Sequence, residues 1–248
     1  MKVAVLGATG TAGSRVVARL REKGAEVVEV SRATGVDLVS GEGLSRAMSG
    51  ADTVVDASNA FPPDDSMSWG QALATATRNV VAACSEQNVS RLVFLSIAGI
   101  EDPVFDRFEY YLAKREQEEI AGGGGVDVTF VKTTQWYEFA ANPAAVSFHD
   151  DRVEVQDWLV QPVSADAVAD VLVREVLEPS GRGRVLIAGP EQIHLPELAR
   201  RRLEVLGDRR PVQATEPYLP ELSQGVLRAP AEAEIVGPNT EEWLATLT

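Results

Sequence analysis

A chain of 248 residues that is 45% hydrophobic can bury one good core, and a single α/β domain reaches this size without splitting. Its 23 basic and 37 acidic residues give a net charge of -14. That charge repels nucleic-acid phosphates and anionic lipid, so neither is expected as a partner, although a local basic pocket can still hold a phosphate. Cys84 is the only cysteine, and His149 and His194 are the only histidines, so no disulfide, cysteine-clustered zinc site or other metal site is expected.

The first run, Val3 to Leu6, has the pattern of a buried strand and is cut off by Gly7. It is too short for a signal segment or a membrane span, and a soluble, cytoplasmic protein is expected. Helical spacing follows over Ser14 to Lys23, with Val16, Val17 and Leu20 on one face, until Gly24. Strands are predicted at Ala25 to Val30 and Thr53 to Val55, on either side of a short helix around Leu44 to Met48. A helix over Gln71 to Gln87, a strand over Arg91 to Ile97, a helix over Glu109 to Ile120 and a strand over Val126 to Val131 come next. The run Gly122 to Gly125 is predicted to be a flexible connection. Beyond Lys132 the regularity falls to a helix over about Ser164 to Leu177, a strand over Arg184 to Ala188 and a helix near Leu195 to Leu206. The tail from Pro211 is rich in proline and has little periodicity.

Near-continuous apolar strands alternating with helices indicate an α/β fold, a Rossmann-like doubly wound parallel sheet covered on both faces. Residues 1–248 are expected to form a single domain, with 133–163 and 189–248 contributing a small C-terminal substrate-binding part.

The turn Gly7-Ala8-Thr9-Gly10-Thr11-Ala12-Gly13 lies between the first strand and the first helix. Free backbone N–H groups and the helix dipole there favour the pyrophosphate of a dinucleotide. The alternative is that the glycines only permit a tight turn and close packing of helix on strand. The turn resembles the Gly-Ala-Thr-Gly-x-x-Gly fingerprint of extended and atypical short-chain dehydrogenases. In order, Leu95 to Gly99, Tyr110 to Lys114, Lys132 to Phe139 and Gln161 to Ser164 resemble the NmrA-like NAD(P)-binding branch. The resemblance runs from Met1 to about Pro190, with a weaker echo at Trp243.

The end of the second strand selects between dinucleotides, because an acidic side chain there would bind the ribose 2′-OH of NAD. Here the residues are Ser31 and Arg32. A hydroxyl and a guanidinium fork suit a 2′-phosphate, which favours NADP and leaves NAD possible. Glu29, two residues earlier, should point elsewhere on a period-two strand. The family resemblance implies that Asp37 approaches the adenine and that Ala57, Ser58 and Asn59 line the cofactor. Asp56 reads equally well as structural.

Tyr110 and Lys114 are four residues apart on a predicted helix and share a face. A phenol titrating near about 10 needs roughly 3 units of stabilisation to act as a phenolate at neutral pH; in the reductive direction it protonates a carbonyl oxygen instead. Lys114 would also hold the nicotinamide ribose. The resemblance implies that Ser96 supplies a hydroxyl to the substrate oxygen, which makes a Ser-Tyr-Lys group. Against this stand ordinary helix pairs, Lys114 with Glu118 and Arg115 with Glu119, and the neighbouring Tyr111, which a one-residue change of helix phase would present instead.

Thr133 and Gln135 follow a strand carboxyl end and are expected near the nicotinamide. Trp136, Tyr137 and Phe139, with Phe61 and Trp69, are expected to wall an apolar pocket unless they are core. His149 and Trp158 are candidates to cover it, and His194 is expected at the surface near a helix start. Cys84 reads as a small buried hydrophobe.

The resulting expectation is an NADP-dependent oxidoreductase acting on a carbonyl or conjugated double bond of a small apolar substrate. The alternatives are a non-catalytic NmrA-like dinucleotide sensor and an isomerase that retains its cofactor.

Overall fold

The computed structural model describes residues 1–62, 64 and 66–247. Strand β1 (Lys2–Leu6) leads into helix α1 (Thr11–Glu22), then β2 (Glu26–Val30), α2 (Leu44–Ala47), β3 (Thr53–Asp56), α3 (Trp69–Glu86), β4 (Arg91–Ile97), α4 (Glu109–Gly123) and β5 (Asp127–Thr133). Further along are β6 (Val146–Phe148), β7 (Val153–Gln156), β8 (Leu159–Val160), α5 (Ala165–Leu177), β9 (Arg184–Ala188) and β10 (Ile193–His194). The chain continues with α6 (Leu195–Val205), β11 (Val212–Thr215), β12 (Glu234–Ile235) and α7 (Thr240–Leu244). Seven strands share one sheet in the order β12-β9-β5-β4-β3-β1-β2. The pairings of β1 with β2 and β3, of β3 with β4 and of β9 with β12 are parallel. With helices between the strands, this is a Rossmann-like α/β fold.

The chain divides into two compact units, Met1–Lys132 with Val168–Val185, and Thr133–Ala167 with Leu186–Thr248. In the first, Leu6, Val30, Leu44, Met48, Val54, Val80, Leu92 and Phe94 form one buried cluster, which also contains Cys84. Burial pushes the Cys84 thiol up to about 12, so it packs as an inert small hydrophobe. The order reverses at β1: β2 lies on one side of it and β3 on the other, and such a switch point is where open α/β sheets bind ligands.

Several boundaries differ from the sequence expectation for identifiable reasons. Helix α4 runs on through Gly122 and Gly123 because its end packs tightly: a Cβ on Gly124 would sit 2.2 Å from Val81 Cγ1. Only Gly125, at φ +77°, reverses the chain. In the second unit, the proline-rich tail supplies β11, paired in parallel with β7. It also supplies α7, capped by Asn239, whose side chain accepts from the Glu242 N–H at 2.9 Å. These elements are too short to show a hydrophobic period. Among the described residues no helix is long and apolar enough to cross a membrane.

Candidate dinucleotide site

Leu6 pairs in register with Val30 and Asp56, and Asp56 with Phe94, so Gly7, Ser31 and Ala57 leave the sheet along one carboxyl edge. Gly7 has φ +73°, and a Cβ there would lie 2.7 Å from the Ala57 carbonyl oxygen. A Cβ on Gly13 would lie 2.1 Å from the Gly7 oxygen, and one on Gly10 3.2 Å from the same atom. Close packing therefore requires the first and third glycines. The first turn of α1 carries no acidic residue, and its first bond, Ser14 N–H to Gly10 O at 3.0 Å, leaves the Thr11, Ala12 and Gly13 N–H groups without intrahelical acceptors. Thr9 lies in the same turn.

At the end of β2, Glu29 is bound to Arg21 at 2.6 Å, which takes up its carboxylate. The Ser31 backbone N–H donates to Thr34 Oγ1 at 3.0 Å, while the Ser31 hydroxyl is buried without a hydrogen-bond partner. Arg32 is exposed. Asp37 turns into its own loop, where one carboxylate oxygen accepts from Val39 N–H at 2.7 Å and Ser40 N–H at 3.2 Å.

Asp56 is buried at the end of β3, and burial raises its carboxyl above the ordinary value. It holds the next turn, accepting from the Ser58 N–H at 2.9 Å and the Ser58 hydroxyl at 2.6 Å. The segment it shapes touches Gly7 through Ala57 and reaches Tyr110 through Asn59, whose Oδ1 accepts from the Tyr110 hydroxyl at 3.3 Å. Tyr111 instead packs into the core against Phe105, with ring centroids 4.7 Å apart, so the helix phase presents Tyr110. Burial raises the Tyr110 phenol above its ordinary value, which keeps it protonated.

Lys114 is buried on the same helix. Its Nζ donates to the Leu95 carbonyl at 3.4 Å and lies 5.1 Å from the centre of the Phe94 ring. Burial lowers its ammonium to about 8, opposed by the nearby Asp56 and Glu118 carboxylates. The Ser96 hydroxyl donates to Glu118 Oε1, so Ser96, Tyr110 and Lys114 each bond a different group. Arg115 bonds Asp106 at 2.6 Å and the Asp102 carbonyl at 2.8 Å.

Sequence reasoning missed the group beneath Ser96. Lys132, fully buried, donates to Glu118 Oε2 at 2.9 Å and to Glu101. The available signal was a lysine directly after Phe130 and Val131 in a predicted strand, where only a paired cation can be buried.

In the second unit, Thr133 Oγ1 accepts from the Trp136 indole N–H at 2.9 Å. The backbone of Gln135 to Tyr137 is joined to Val163, whose N–H donates to Gln135 O at 2.9 Å and whose carbonyl accepts from Tyr137 N–H at 3.2 Å. Two of the motifs that carried the family resemblance thus bond to each other. Gln161 ties this region together: its backbone carbonyl accepts from the Thr134 hydroxyl at 2.6 Å, and its Nε2 donates to Gly189 O at 2.9 Å. The sequence expectation for Tyr137 is a pocket wall or the core. It is fully buried, stacked on Trp243 at 4.7 Å, with its hydroxyl donating to the Pro238 carbonyl at 3.2 Å, because the tail supplies a flat partner that periodicity did not reveal. Phe139, half-buried, lies 5.1 Å from the buried Trp158. His149 faces Glu154 at 3.3 Å, and the exposed His194 pairs with Asp157 at 2.6 Å before α6.

A family model described as NAD(P)H-binding matches residues 7–179. The chain belongs to this NAD(P)H-binding family. No curated protein matches the chain. Among solved structures, it is similar to the Bordetella bronchiseptica enzyme WbmH in complex with NAD+, at 17% identity over 98% of this chain and 96% of the other, with a TM-score of 0.72. It is also similar to an NADPH-dependent quinone oxidoreductase from Escherichia coli complexed with NADPH, at 16% identity over 99% of each chain and a TM-score of 0.72. A third is a UDP-glucose 4-epimerase from Thermus thermophilus in complex with NAD, at 18% identity over 100% of this chain and 93% of the other, with a TM-score of 0.69. At these identities the likeness establishes the shared fold.

The residues of this NAD(P)H-binding chain fit a dinucleotide on two observations. The first turn of α1 has no acidic residue and leaves the Thr11, Ala12 and Gly13 N–H groups without intrahelical acceptors, and the Ser31 hydroxyl is a buried polar atom left without a partner at the end of β2.

Proposed function

We propose that the protein is an NADP-dependent oxidoreductase of the atypical short-chain type, reducing a carbonyl or conjugated double bond in a small apolar substrate. The observation that carries this reading is the segment Ala57 to Asn59, in contact with the glycine turn at one end and bonded to the Tyr110 hydroxyl at the other. It joins a phosphate cradle to a proton donor.

Thr9 to Gly13 would hold the pyrophosphate. Ser31 and Arg32 would hold a 2′-phosphate, a reading supported by the engagement of Glu29 with Arg21. Lys114 would hold the nicotinamide ribose, with Ser58 along the cofactor. When bound, a nicotinamide would supply the hydride for the substrate carbon. Tyr110 supplies the proton: its phenol, kept neutral by burial, donates to the oxygen that gains charge as hydride arrives. This favours reduction over oxidation, which would need the phenolate. A cytoplasmic location, a small-molecule substrate and the absence of nucleic-acid and membrane partners belong to the same proposal.

A second reading, a dinucleotide sensor without chemistry, is favoured by one observation: the Ser96 hydroxyl proton is donated to Glu118 and cannot at the same time polarise a carbonyl. NADPH consumption across a panel of small ketones, aldehydes and enones separates the two. Turnover above background supports the reductase; NADPH binding with no turnover of any member removes it in favour of the sensor.

A further inference from the structure

Phe61 and Trp69 are 48% and 44% exposed, among the largest apolar side chains left open to solvent. They are adjacent, with ring centroids 4.8 Å apart and planes at 67°. Trp69 in turn lies 6.5 Å from Tyr110 at 85°. The three rings form a row that ends at the phenol bonded to Asn59. Scattered exposed hydrophobes need no explanation, but a contiguous row leading to a reactive hydroxyl marks a ligand-binding surface.

The geometry of the row selects a ligand type. Aromatic pairs favour offset-stacked or edge-to-face contact. Since Trp69 and Tyr110 are nearly perpendicular, a flat ring laid parallel to the Trp69 indole stands edge-to-face toward Tyr110, and both contacts are favourable at once. A saturated ring of the same carbon count gains only the burial common to both.

Resting on the reductase reading above, we infer that Phe61 and Trp69 select an aryl carbonyl, a flat aromatic ring bearing the ketone or aldehyde that Tyr110 protonates. The reaction balances as hydride from NADPH to the carbonyl carbon and the phenolic proton to its oxygen, giving an aryl alcohol and NADP+; solvent reprotonates Tyr110.

The test compares acetophenone with cyclohexyl methyl ketone, equal in carbon count and differing in the ring. Their dissociation constants are measured by ligand-detected NMR with and without NADP+, alongside NADPH consumption. Acetophenone should bind roughly 2- to 10-fold more tightly, the range that aromatic pairing contributes. The preference should fall toward unity in Trp69→Leu and decrease in Phe61→Leu, two exposed positions whose replacement leaves the core intact. Equal binding of the two ketones by the wild type, a preference that survives both substitutions, or no binding of either ketone overturns the inference. Aryl-selective binding without NADPH consumption removes the reductase reading and upholds the aromatic selection; equal binding and equal turnover of both ketones do the reverse.

Discussion

The Tyr110 hydroxyl donates to Asn59 Oδ1 at 3.3 Å across 51 positions of sequence, tying α4 to the segment that closes on Gly7. If Tyr110 is the proton donor, Tyr110→Phe should lower kcat for carbonyl reduction by about 100-fold or more while the NADPH dissociation constant stays within about twofold. Steady-state kinetics with a fluorescence titration would check both. Activity surviving in the variant removes Tyr110 as the acid.

The glycine turn makes a prediction that does not depend on chemistry. Gly13→Ala places a Cβ 2.1 Å from the Gly7 oxygen, against backbone that has little room to give, so it should cost about 1–3 kcal/mol of stability by overpacking, lower Tm and weaken NADPH binding. Gly10→Ala, with 3.2 Å to the same oxygen, should be milder on both counts. Thermal melts and titrations of the two variants would reverse this ranking if the close approach were not limiting.

Arg32 is exposed beside a buried hydroxyl without a partner. Arg32→Ala should weaken NADPH by about 1.5–3 kcal/mol, a charge-assisted contact, and change NADH little. Equal losses for both dinucleotides would assign Arg32 to the surface alone.

Lys132 is fully buried between Glu118 and Glu101. Lys132→Met takes from Glu118 the ammonium that bonds it and should destabilise the fold by about 3–5 kcal/mol. Adding Glu118→Gln should recover part of the loss. Denaturant melts of the single and double variants give the coupling directly; strictly additive losses would mean that the pair is not the origin of the cost.

The Lys114 ammonium, lowered to about 8 from 10.5 by burial, sets a pH window. Below pH 8 both folded and unfolded states carry the proton, and the folded state bears the cost of burying it. Between about 8 and 10.5 the folded state releases the proton while the unfolded chain keeps it, so this residue's contribution to stability rises with pH. The stability of the wild type relative to Lys114→Met should therefore increase across that window; a flat difference would place the amine in a wetter environment than the structure gives it.

Local sequence alone carries the alternating α/β order, the glycine turn Gly7 to Gly13 between strand and helix, and the helix that bears Tyr110 and Lys114. Each is written in local spacing: apolar runs, a glycine turn between strand and helix, and a four-residue interval. Folding imposes the rest through distant partners. Tyr111 went to the core because Phe105 and Phe108 meet it there. Tyr137 stacks on Trp243, far along the chain. The Ser96 hydroxyl went to Glu118 because Lys132 holds that carboxylate beneath the sheet edge. A buried charge or a stacked ring is settled by which side chains the fold brings within a few ångströms, and no period in the sequence encodes that.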